Sequence, residues 1–169
     1  MNGYQVALDV KYEDDNATIG YVVFEDENSL SPITEGTAQH EGVAPYVPGS
    51  FYQRELPCLL TAIDLIEEAI GLIYIDANVW LGDTEPGLGK HLYDALHGSI
   101  PIIGVSKSAY NRTTNRIQPV LRPSSSNPLY VSSVGIDLND ACLKIQQMAG
   151  SYRLPDMIKR ADVLSRSEA

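Results

Sequence analysis

LIYID at residues 72–76 and IPIIGV at residues 100–105 are the two stretches that indicate the fold class most directly. LIYID is a short apolar run bounded by Gly71 and by the loop ANVWLGDTEPG, which is typical of a strand buried on both faces. IPIIGV has the same character, and residues 89–96 between the two runs suit a helix. A strand, a helix and a second strand in this order predict a β-α-β unit with parallel strands.

The sequence before this unit predicts an antiparallel meander. Residues 4–10 are mostly apolar, and the β-rich stretch TIGYVVF at residues 18–24 follows the polar turn YEDDNA, so a hairpin is the simplest outcome. A third strand is expected within residues 31–40. The stretch APYVPGSF that comes next contains two prolines and a glycine, which predicts irregular structure.

Helices are expected to flank the sheet. Apolar residues recur at helical spacing in residues 52–70, with Gly71 as the stop signal, and again in residues 137–149. Residues 109–134 contain several prolines and the run SSSNP, which favours short strands around a loop. The expected fold is an α/β mixed sheet, an antiparallel meander followed by a β-α-β unit, flanked by helices. The length of 169 residues suits a single domain spanning residues 1–169.

The charge of the chain limits how it binds a polyanion. Its 22 acidic and 12 basic residues give a formal net charge of -10, which argues against non-specific coating of nucleic acid by cationic side chains. Any nucleic-acid contact must therefore be local or metal-assisted. Basic residues in two stretches form either a basic face or a solvated surface: Lys107, Arg112, Arg116, Arg122, Arg153, Lys159, Arg160 and Arg166.

Two features of the sequence bear on location. No apolar run approaches the roughly 20 residues that a membrane-spanning helix needs. The first residues, MNGYQVALDV, lack the basic and apolar regions of a signal peptide. These observations predict a cytoplasmic protein without a membrane partner.

Three carboxylates occupy positions from which they can converge. Asp9 lies near the end of the first predicted strand, Asp76 ends the buried LIYID strand, and Glu55 lies in the first turn of the long predicted helix. Ligand sites in open α/β sheets gather at the carboxyl ends of strands, and three converging acids repel one another unless a cation neutralises them. Hard oxygen ligands suit Mg²⁺ or Mn²⁺. Taken singly, each acid is also explained as a strand-end, helix-start or loop-capping residue.

Several motifs resemble one known family along nearly the whole chain. ALDV, PYVPGSFYQRELPCLL, LIYIDAN, PIIGVSK and GSYRLPDMIKRAD occur here in the order and spacing of the endonuclease V family. The combination of PYVPG with RELP and the YRLP segment are the most specific signals. The resemblance implies a ribonuclease H-like fold and cleavage of a DNA or RNA strand near a deaminated base, typically inosine. It also implies Mg²⁺ as the cofactor, with Mn²⁺ as a substitute.

The resemblance assigns roles to individual residues. Asp9, Glu55 and Asp76 match the positions where the family has its metal-binding carboxylates, and Lys107 matches the position of a lysine near the scissile phosphate. A cation at that point is physically sensible because it stabilises developing negative charge. The implied catalytic residues are therefore these three acids and Lys107.

The resemblance also implies a wedge that separates strands, formed by a stiff turn that presents an aromatic ring to the bases. The alternative for this turn is a buried structural element. In the nuclease interpretation, backbone amides near two small residues read the extruded base and an aromatic residue lines its pocket. The predicted substrate contacts are Pro45, Tyr46, Val47 and Pro48 in the wedge, with Gly49, Phe51 and Ala77 around the base.

The loop after the third carboxylate departs from the family pattern. Where the family usually has Asp-Gly and then a His-Pro-Arg run, this chain reads DANVWLGDTEPGLG, with Gly82 or Thr84 at the spacing of the histidine. Ala77 replaces a glycine, so its methyl group approaches the base. Trp80 is either a lid over the site or an anchor on the core.

These observations leave three hypotheses. The first is a Mg²⁺-dependent endonuclease that cuts DNA or RNA near a deaminated base, with reduced activity because the histidine is missing. The second is a catalytically impaired module that binds modified nucleic acid or a protein partner. The third is a metal phosphohydrolase for small phosphoesters, which the sequence encourages least because it has no separate nucleotide-binding loop. The oligomeric state is left open.

Overall fold

A seven-stranded mixed sheet forms the centre of the computed structural model, which describes residues 3–45, 47–48, 51–109 and 114–167. The strands are β1 (Tyr4–Glu13), β2 (Asn16–Phe24), β3 (Thr34–Glu41), β4 (Ile70–Ile75), β5 (Ile102–Ser106), β6 (Gln118–Val120) and β7 (Leu129–Val134). The helices are α1 (Phe51–Leu65), α2 (Leu88–Ala95), α3 (Leu138–Gln147) and α4 (Asp156–Ser165).

The strand order is β3-β2-β1-β4-β5-β7-β6. The first three strands form the predicted antiparallel meander, and β4 pairs in parallel with both β1 and β5. At the far side β7 pairs antiparallel with β5 and with β6. The expected α/β architecture of a meander followed by a β-α-β unit is confirmed. That residues 1–169 form a single domain stays a prediction.

Helices cover both faces of the sheet because side chains along each strand alternate between the faces. On β1, Val6 and Leu8 point to the face covered by α1 and α2, where they join one apolar cluster with Leu59. Ala7 points to the other face, where a second cluster includes Ile145 of α3. α4 packs on that second face against β1 and β2. Two helical layers therefore enclose the strands that carry the candidate acids.

Two predicted boundaries are wrong in a way that matters for the site. The predicted helix over residues 52–70 ends at Leu65, and Ile70 and Gly71 belong to β4. Backbone pairing of Ile70 with β1 provides the hydrogen bonds that helical periodicity alone does not. The first strand continues to Glu13 because its whole second half pairs with β2. Other element ends differ by one to three residues, close to the ordinary uncertainty of helix and strand limits.

The sequence analysis missed α4. Pro155 is its N-terminal cap residue, where a missing N–H costs nothing, and apolar side chains follow at helical spacing at Met157, Ala161 and Leu164. The signal was therefore present in the YRLPDMIKRAD segment. This helix matters because it brings Asp162 to the same edge of the sheet as Asp9.

Candidate active site at the carboxyl end of β4

Two of the predicted acids lie on neighbouring strands. Leu8 of β1 pairs in parallel register with Ile75, the last residue of β4. Asp9 and Asp76 come next along their chains and therefore lie side by side where β4 ends. β1 itself continues past this point, so Asp9 lies within its strand and only Asp76 follows a strand end.

Glu55 reaches the same place from α1. It is the fifth residue of α1, one residue further into the helix than predicted and just past the first turn, and its exposure is 8%. A small cavity of about 10 Å³ lies between the three acids, close to the smallest volume that holds one water-sized occupant. Its lining consists of Leu8, Asp9, Val10, Glu55, Leu59, Ile75 and Asp76. The structure thus brings the three predicted acids together.

The carboxylates disfavour one another's charge. Burial, followed by the charges of Asp9 and Asp76, raises the pKa of Glu55 to about 8. Burial, then Asp76 and then Asp162 raise the pKa of Asp9 above its ordinary value. Asp76 lies at the rim and is exposed, although protein on one side removes part of its hydration. This partial burial raises the pKa of Asp76, the charge of Lys107 lowers it, and the charge of Asp162 raises it. A cation between these groups would relieve the repulsion.

The acids converge, but their side chains are not yet arranged to coordinate a metal ion. In the part of the chain that the structure describes, no group of three or more Asp, Glu, His or Cys side chains is already arranged to hold a metal ion. The donor set nevertheless fits a hard divalent cation, because it consists of carboxylate oxygens around a cavity of ionic size. The charged residues in the lining of this cavity are Asp9, Glu55 and Asp76.

Two residues favour the charged form of the Glu55 carboxylate. The Tyr12 phenol donates a hydrogen bond to Glu55 Oε1 at 3.4 Å, and the Arg54 guanidinium lies 3.8 Å from the centre of the Tyr12 ring. Both residues lower the pKa of Glu55, but burial outweighs them. Burial and the nearby Glu55 charge raise the pKa of the Tyr12 phenol itself, so Tyr12 stays a proton donor at neutral pH.

A fourth carboxylate, which the sequence analysis did not single out, belongs to the same cluster. Asp162 of α4 is 9% exposed, comes within hydrogen-bonding reach of Asp9 and affects the pKa of Asp76. Its two oxygens accept hydrogen bonds from Arg166 Nη2 at 2.9 Å each. We refer to Asp9, Glu55, Asp76 and Asp162 as the carboxylate cluster. A helix in the YRLPDMIKRAD segment was the signal that would have identified Asp162.

Lys107 lies at the edge of the carboxylate cluster. It follows the last residue of β5, is exposed, and its positive charge lowers the pKa of Asp76. Because β4 and β5 are parallel neighbours, the residues that follow them meet at one edge of the sheet. The predicted catalytic lysine is therefore brought next to the predicted acids.

A larger cavity of about 540 Å³ opens beside Asp76. Its size lies within the range of small-ligand sites. Phe51 and Ala77, both predicted to surround an extruded base, line it together with Asp76. The other lining residues are Tyr52, Asn78, Leu81, Glu85, Pro86, Gly87, Leu88 and Ser106.

The predicted wedge lies apart from this lining. Pro45, Val47 and Pro48 are exposed, and none of them lines the larger cavity. Their exposure favours the wedge over a buried structural turn. Tyr46 and Gly49, the other two predicted residues of this stretch, lie outside the described residues.

Trp80 is an anchor on the core. It is 8% exposed, its Nε1 donates a hydrogen bond to the carbonyl of Ser133 at 3.0 Å, and the Arg116 guanidinium lies 4.2 Å from its ring centre. The start of the same loop packs closely on Gly104 of β5, where a side chain would meet the carbonyl of Ala77. The loop that departs from the family pattern is therefore fastened to β5 and β7.

Among the described residues, four of the basic side chains singled out in the sequence are buried, stacked or paired. Arg122 is buried, Arg116 stacks on Trp80, and Arg160 and Arg166 pair with Glu35 and Asp162. Arg112 lies outside the described residues. Arg166 is engaged with Asp162 of the carboxylate cluster, and Lys107 is the exposed cation whose charge acts on Asp76.

The fold and this cluster of acids define the chain as an α/β protein with a ribonuclease H-like fold. The Endonuclease V family model matches residues 2–163, and the chain belongs to the endonuclease V family of nucleases. Endonuclease V from Streptomyces avermitilis is 31% identical over 185 residues, covering 97% of this chain and 80% of that protein.

Solved structures agree with this assignment. The crystal structure of the Streptomyces avermitilis endonuclease V has a TM-score of 0.80 and 30% identity, covering 97% of this chain and 80% of that one. Ciona intestinalis endonuclease V, solved with a 24-mer DNA containing an inosine followed by a ribo-adenosine, has a TM-score of 0.79 at 20% identity. That comparison covers 97% of this chain and 84% of the Ciona chain and concerns the fold alone. Among the helices of the described ranges, none has the length and apolarity that crossing a bilayer requires.

Proposed function

We propose that this chain is a Mg²⁺-dependent endonuclease that hydrolyses a phosphodiester near a deaminated base, inosine, in DNA or RNA. Mn²⁺ is expected to substitute for Mg²⁺. The observation that supports the proposal most is the convergence of Asp9, Glu55 and Asp76 on one small cavity, beside a larger cavity of about 540 Å³. Because the chain belongs to a family of nucleases, we assign phosphodiester hydrolysis to these converging acids. A cytoplasmic location stays a prediction.

The carboxylate cluster is proposed to bind the metal. Asp9, Glu55 and Asp76 are the assigned ligands, and Asp162 stands close enough to complete or support the set. The raised pKa values of Asp9 and Glu55 support this role, since they reflect burial first and then repulsion between carboxylates, and a bound cation would offset both. When bound, the metal supplies polarisation of the phosphodiester and activation of water.

Lys107 is proposed to act on the scissile phosphate. Its ammonium is exposed beside Asp76, so it is free to approach a phosphate held at the cluster. A cation in that position stabilises the negative charge that develops as water attacks phosphorus. Removing one such group typically costs about 100- to 1,000-fold in rate.

The larger cavity is proposed to receive the extruded base. Phe51 offers an aromatic surface, and Ala77 lies next to Asp76, so a base there would lie beside the reacting phosphate. Extrusion of a base costs a few kcal/mol and is easiest at mismatched or single-stranded sites, which suits deaminated bases. The inosine-containing DNA in the Ciona relative's complex supports the choice of inosine.

A catalytically impaired binding module is the second candidate. The observation that favours it is the altered loop, in which Gly82 or Thr84 stands at the spacing of the family's histidine. Of the described residues that line the two cavities, none is a histidine. This candidate predicts binding of inosine-containing strands without strand cleavage in any divalent metal.

The test is cleavage of end-labelled DNA and RNA strands, single and double, with and without one inosine, in Mg²⁺ or Mn²⁺. The wild-type protein is expected to cut near inosine, and Asp76→Asn is expected to abolish cutting while the chain stays folded. Asp64→Asn, an exposed residue of α1, is the matched control and is expected to cut normally. Binding without cutting would favour the impaired module, and cutting that survives Asp76→Asn would contradict the assigned site.

A further inference from the structure

An arginine holds the connection between α3 and α4 in place. Arg122 is 3% exposed, and its guanidinium donates to the carbonyls of Ile145, Met148, Gly150 and Tyr152. The last carbonyls of a helix have no partner within it, so a buried guanidinium at this point satisfies acceptors that burial would otherwise leave unpaired. The connection, which leads directly into α4, is therefore fixed from the core.

A second arginine leaves this connection and reaches the loop after β5. Arg153 Nη2 donates to the carbonyl of Lys107, and Arg153 Nε and Nη2 donate to the carbonyl of Pro128 at 3.2 and 2.7 Å. A planar guanidinium makes these bonds in one fixed geometry, which an ammonium group does not reproduce. Arg153 thus ties the Lys107 backbone to the start of β7 and to the α3–α4 connection.

In the described part of its loop, Lys107 lies in one short turn. Ser106 Oγ donates to the carbonyl of Ser108 at 3.0 Å and accepts from its N–H at 3.3 Å, which closes a short turn with Lys107 at its apex. Neither of these two bonds involves the Lys107 carbonyl. The Lys107 carbonyl instead accepts a hydrogen bond from Arg153 Nη2.

We propose that Arg153 is a positioning residue that orients the Lys107 ammonium toward Asp76 and the substrate phosphate. This inference rests on the proposed nuclease function, in which Lys107 acts at the phosphate. Arg153 acts through the Lys107 backbone, while its own guanidinium is engaged with two carbonyls. Misplacement of a catalytic group by about 1 Å costs on the order of 100-fold in rate, so the clamp matters for turnover more than for binding.

The test is a double-mutant cycle of Arg153→Ala and Lys107→Ala, measured as the steady-state kcat for cleavage of inosine-containing DNA in Mg²⁺. Lys107→Ala is expected to lower kcat by about 100-fold or more, and Arg153→Ala by about 10- to 100-fold. In the Lys107→Ala background, Arg153→Ala is expected to lower kcat by less than about 3-fold, because a residue that acts through Lys107 has nothing left to position. The Kd for the same DNA in Ca²⁺ is expected to change by less than about 3-fold in Arg153→Ala.

Two further measurements separate positioning from folding. Hydrogen exchange is expected to speed up in a peptide covering residues 102–109 in Arg153→Ala and to stay unchanged in the peptides of β1 and β2. Arg153→Lys is expected to keep the melting temperature near that of the wild type and to lose activity, because its ammonium does not bridge both carbonyls in the same geometry. Arg160→Ala, which removes only a surface pair with Glu35, is the matched control.

The outcomes distinguish the inference from the function on which it rests. Additive losses in the cycle would overturn the positioning role, because Arg153 would then act independently of Lys107. Unchanged exchange at residues 102–109 would overturn it as well. Absence of any cleavage by the wild-type protein would overturn the proposed nuclease function, whatever the exchange experiment gives.

Discussion

Tyr12 and Glu55 lie 43 residues apart in the chain, and the phenol of Tyr12 donates a hydrogen bond to Glu55 Oε1 at 3.4 Å. Tyr12 points to the α1 face of the sheet, opposite to Asp9, because the two residues differ by an odd number of positions along β1. One strand therefore supplies a carboxylate to the cluster from one face and a donor to the Glu55 carboxylate from the other.

Replacing Tyr12 with phenylalanine is expected to weaken metal binding while the fold is retained. The change removes the donor that favours the charged form of Glu55, at a cost of about 1 kcal/mol. The Mg²⁺ concentration for half-maximal cleavage is expected to rise about 5-fold, measured by metal titration of the cleavage rate. Tyr93→Phe in α2 is the control. An unchanged Mg²⁺ requirement in Tyr12→Phe would show that the hydrogen bond has no part in metal binding.

Asp162→Asn is expected to lower metal-dependent cleavage by about 10- to 100-fold, the usual cost of losing a group that ligates a metal or supports its ligands. Asp162 also pairs with Arg166, so Arg166→Ala is the informative companion. If Asp162 ligates the metal or supports its ligands, Arg166→Ala is expected to leave most of the cleavage rate intact. Equal losses in the two variants would mean that the ion pair, and not the cluster, explains the effect.

The sequence predicted the parts of the site that follow from local patterns. The apolar run LIYID identified β4, and with it the position of Asp76, because a buried central strand needs a continuous apolar sequence. The helical spacing around Glu55 likewise identified the body of α1. Parallel pairing of β4 and β5 explains why Asp76 and Lys107 meet, whereas the sequence analysis assigned Lys107 through the family resemblance.

Other parts of the site depend on contacts between distant segments. Asp162 enters the cluster only because α4 packs across β1 and β2, and no local pattern states which strands a helix covers. The role of Trp80 stayed open in the sequence for the same reason, since its partner is the carbonyl of Ser133 on β7. The end of α1 was misplaced because the pairing of Ile70 with β1 overrides helical spacing.

The metal-free protein is expected to lose stability as the pH rises. The pKa of buried Glu55 is raised to about 8 in the folded state, against about 4.3 in an unfolded chain. Its contribution is therefore fully present below about pH 4 and is lost as the pH rises through about 8. A loss of about 1–3 kcal/mol corresponds to a fall of roughly 3–10 °C in the melting temperature.

The measurement is the melting temperature in EDTA between pH 5 and pH 8, with a parallel series in Mg²⁺. Glu55→Gln is expected to flatten the metal-free profile, because it removes the titrating group, and Glu67→Gln on the surface is the control. Added Mg²⁺ is expected to raise the melting temperature most at pH 8, where the cluster is most charged. A metal-free profile that rises with pH would contradict the raised pKa.

Gly104→Ala is expected to impair both stability and cleavage. A Cβ at Gly104 would lie 2.3 Å from the carbonyl oxygen of Ala77 and 2.9 Å from Ser132 Oγ, which in turn accepts from the N–H of Val79. Relief of this clash must shift the backbone that follows Asp76. We expect a loss of about 1–3 kcal/mol in the free energy of unfolding and a lower kcat, measured by denaturant unfolding and single-turnover cleavage.

Gly42→Ala is the matched control for this change. A Cβ at Gly42 meets nothing within 4 Å, but its φ of +69° disfavours alanine, so a cost of about 1 kcal/mol is expected with no change in kcat. If Gly104→Ala lost stability and kept its cleavage rate, the packing behind Ala77 would have no influence on the reacting groups.

Ala77→Gly is expected to raise kcat/KM for inosine-containing DNA several-fold. The methyl group of Ala77 lines the larger cavity beside Asp76, so it occupies space where a base would approach the backbone. A single methyl group in such a pocket is worth about 1–3 kcal/mol of discrimination, and removing it relieves crowding at a small cost in loop rigidity. The measurement is kcat/KM on matched strands with inosine or adenine at one position, and Ala95→Gly in α2 is the control. A gain on the inosine strand alone would support the larger cavity as the base site, whereas no gain on either strand would mean that the base binds elsewhere.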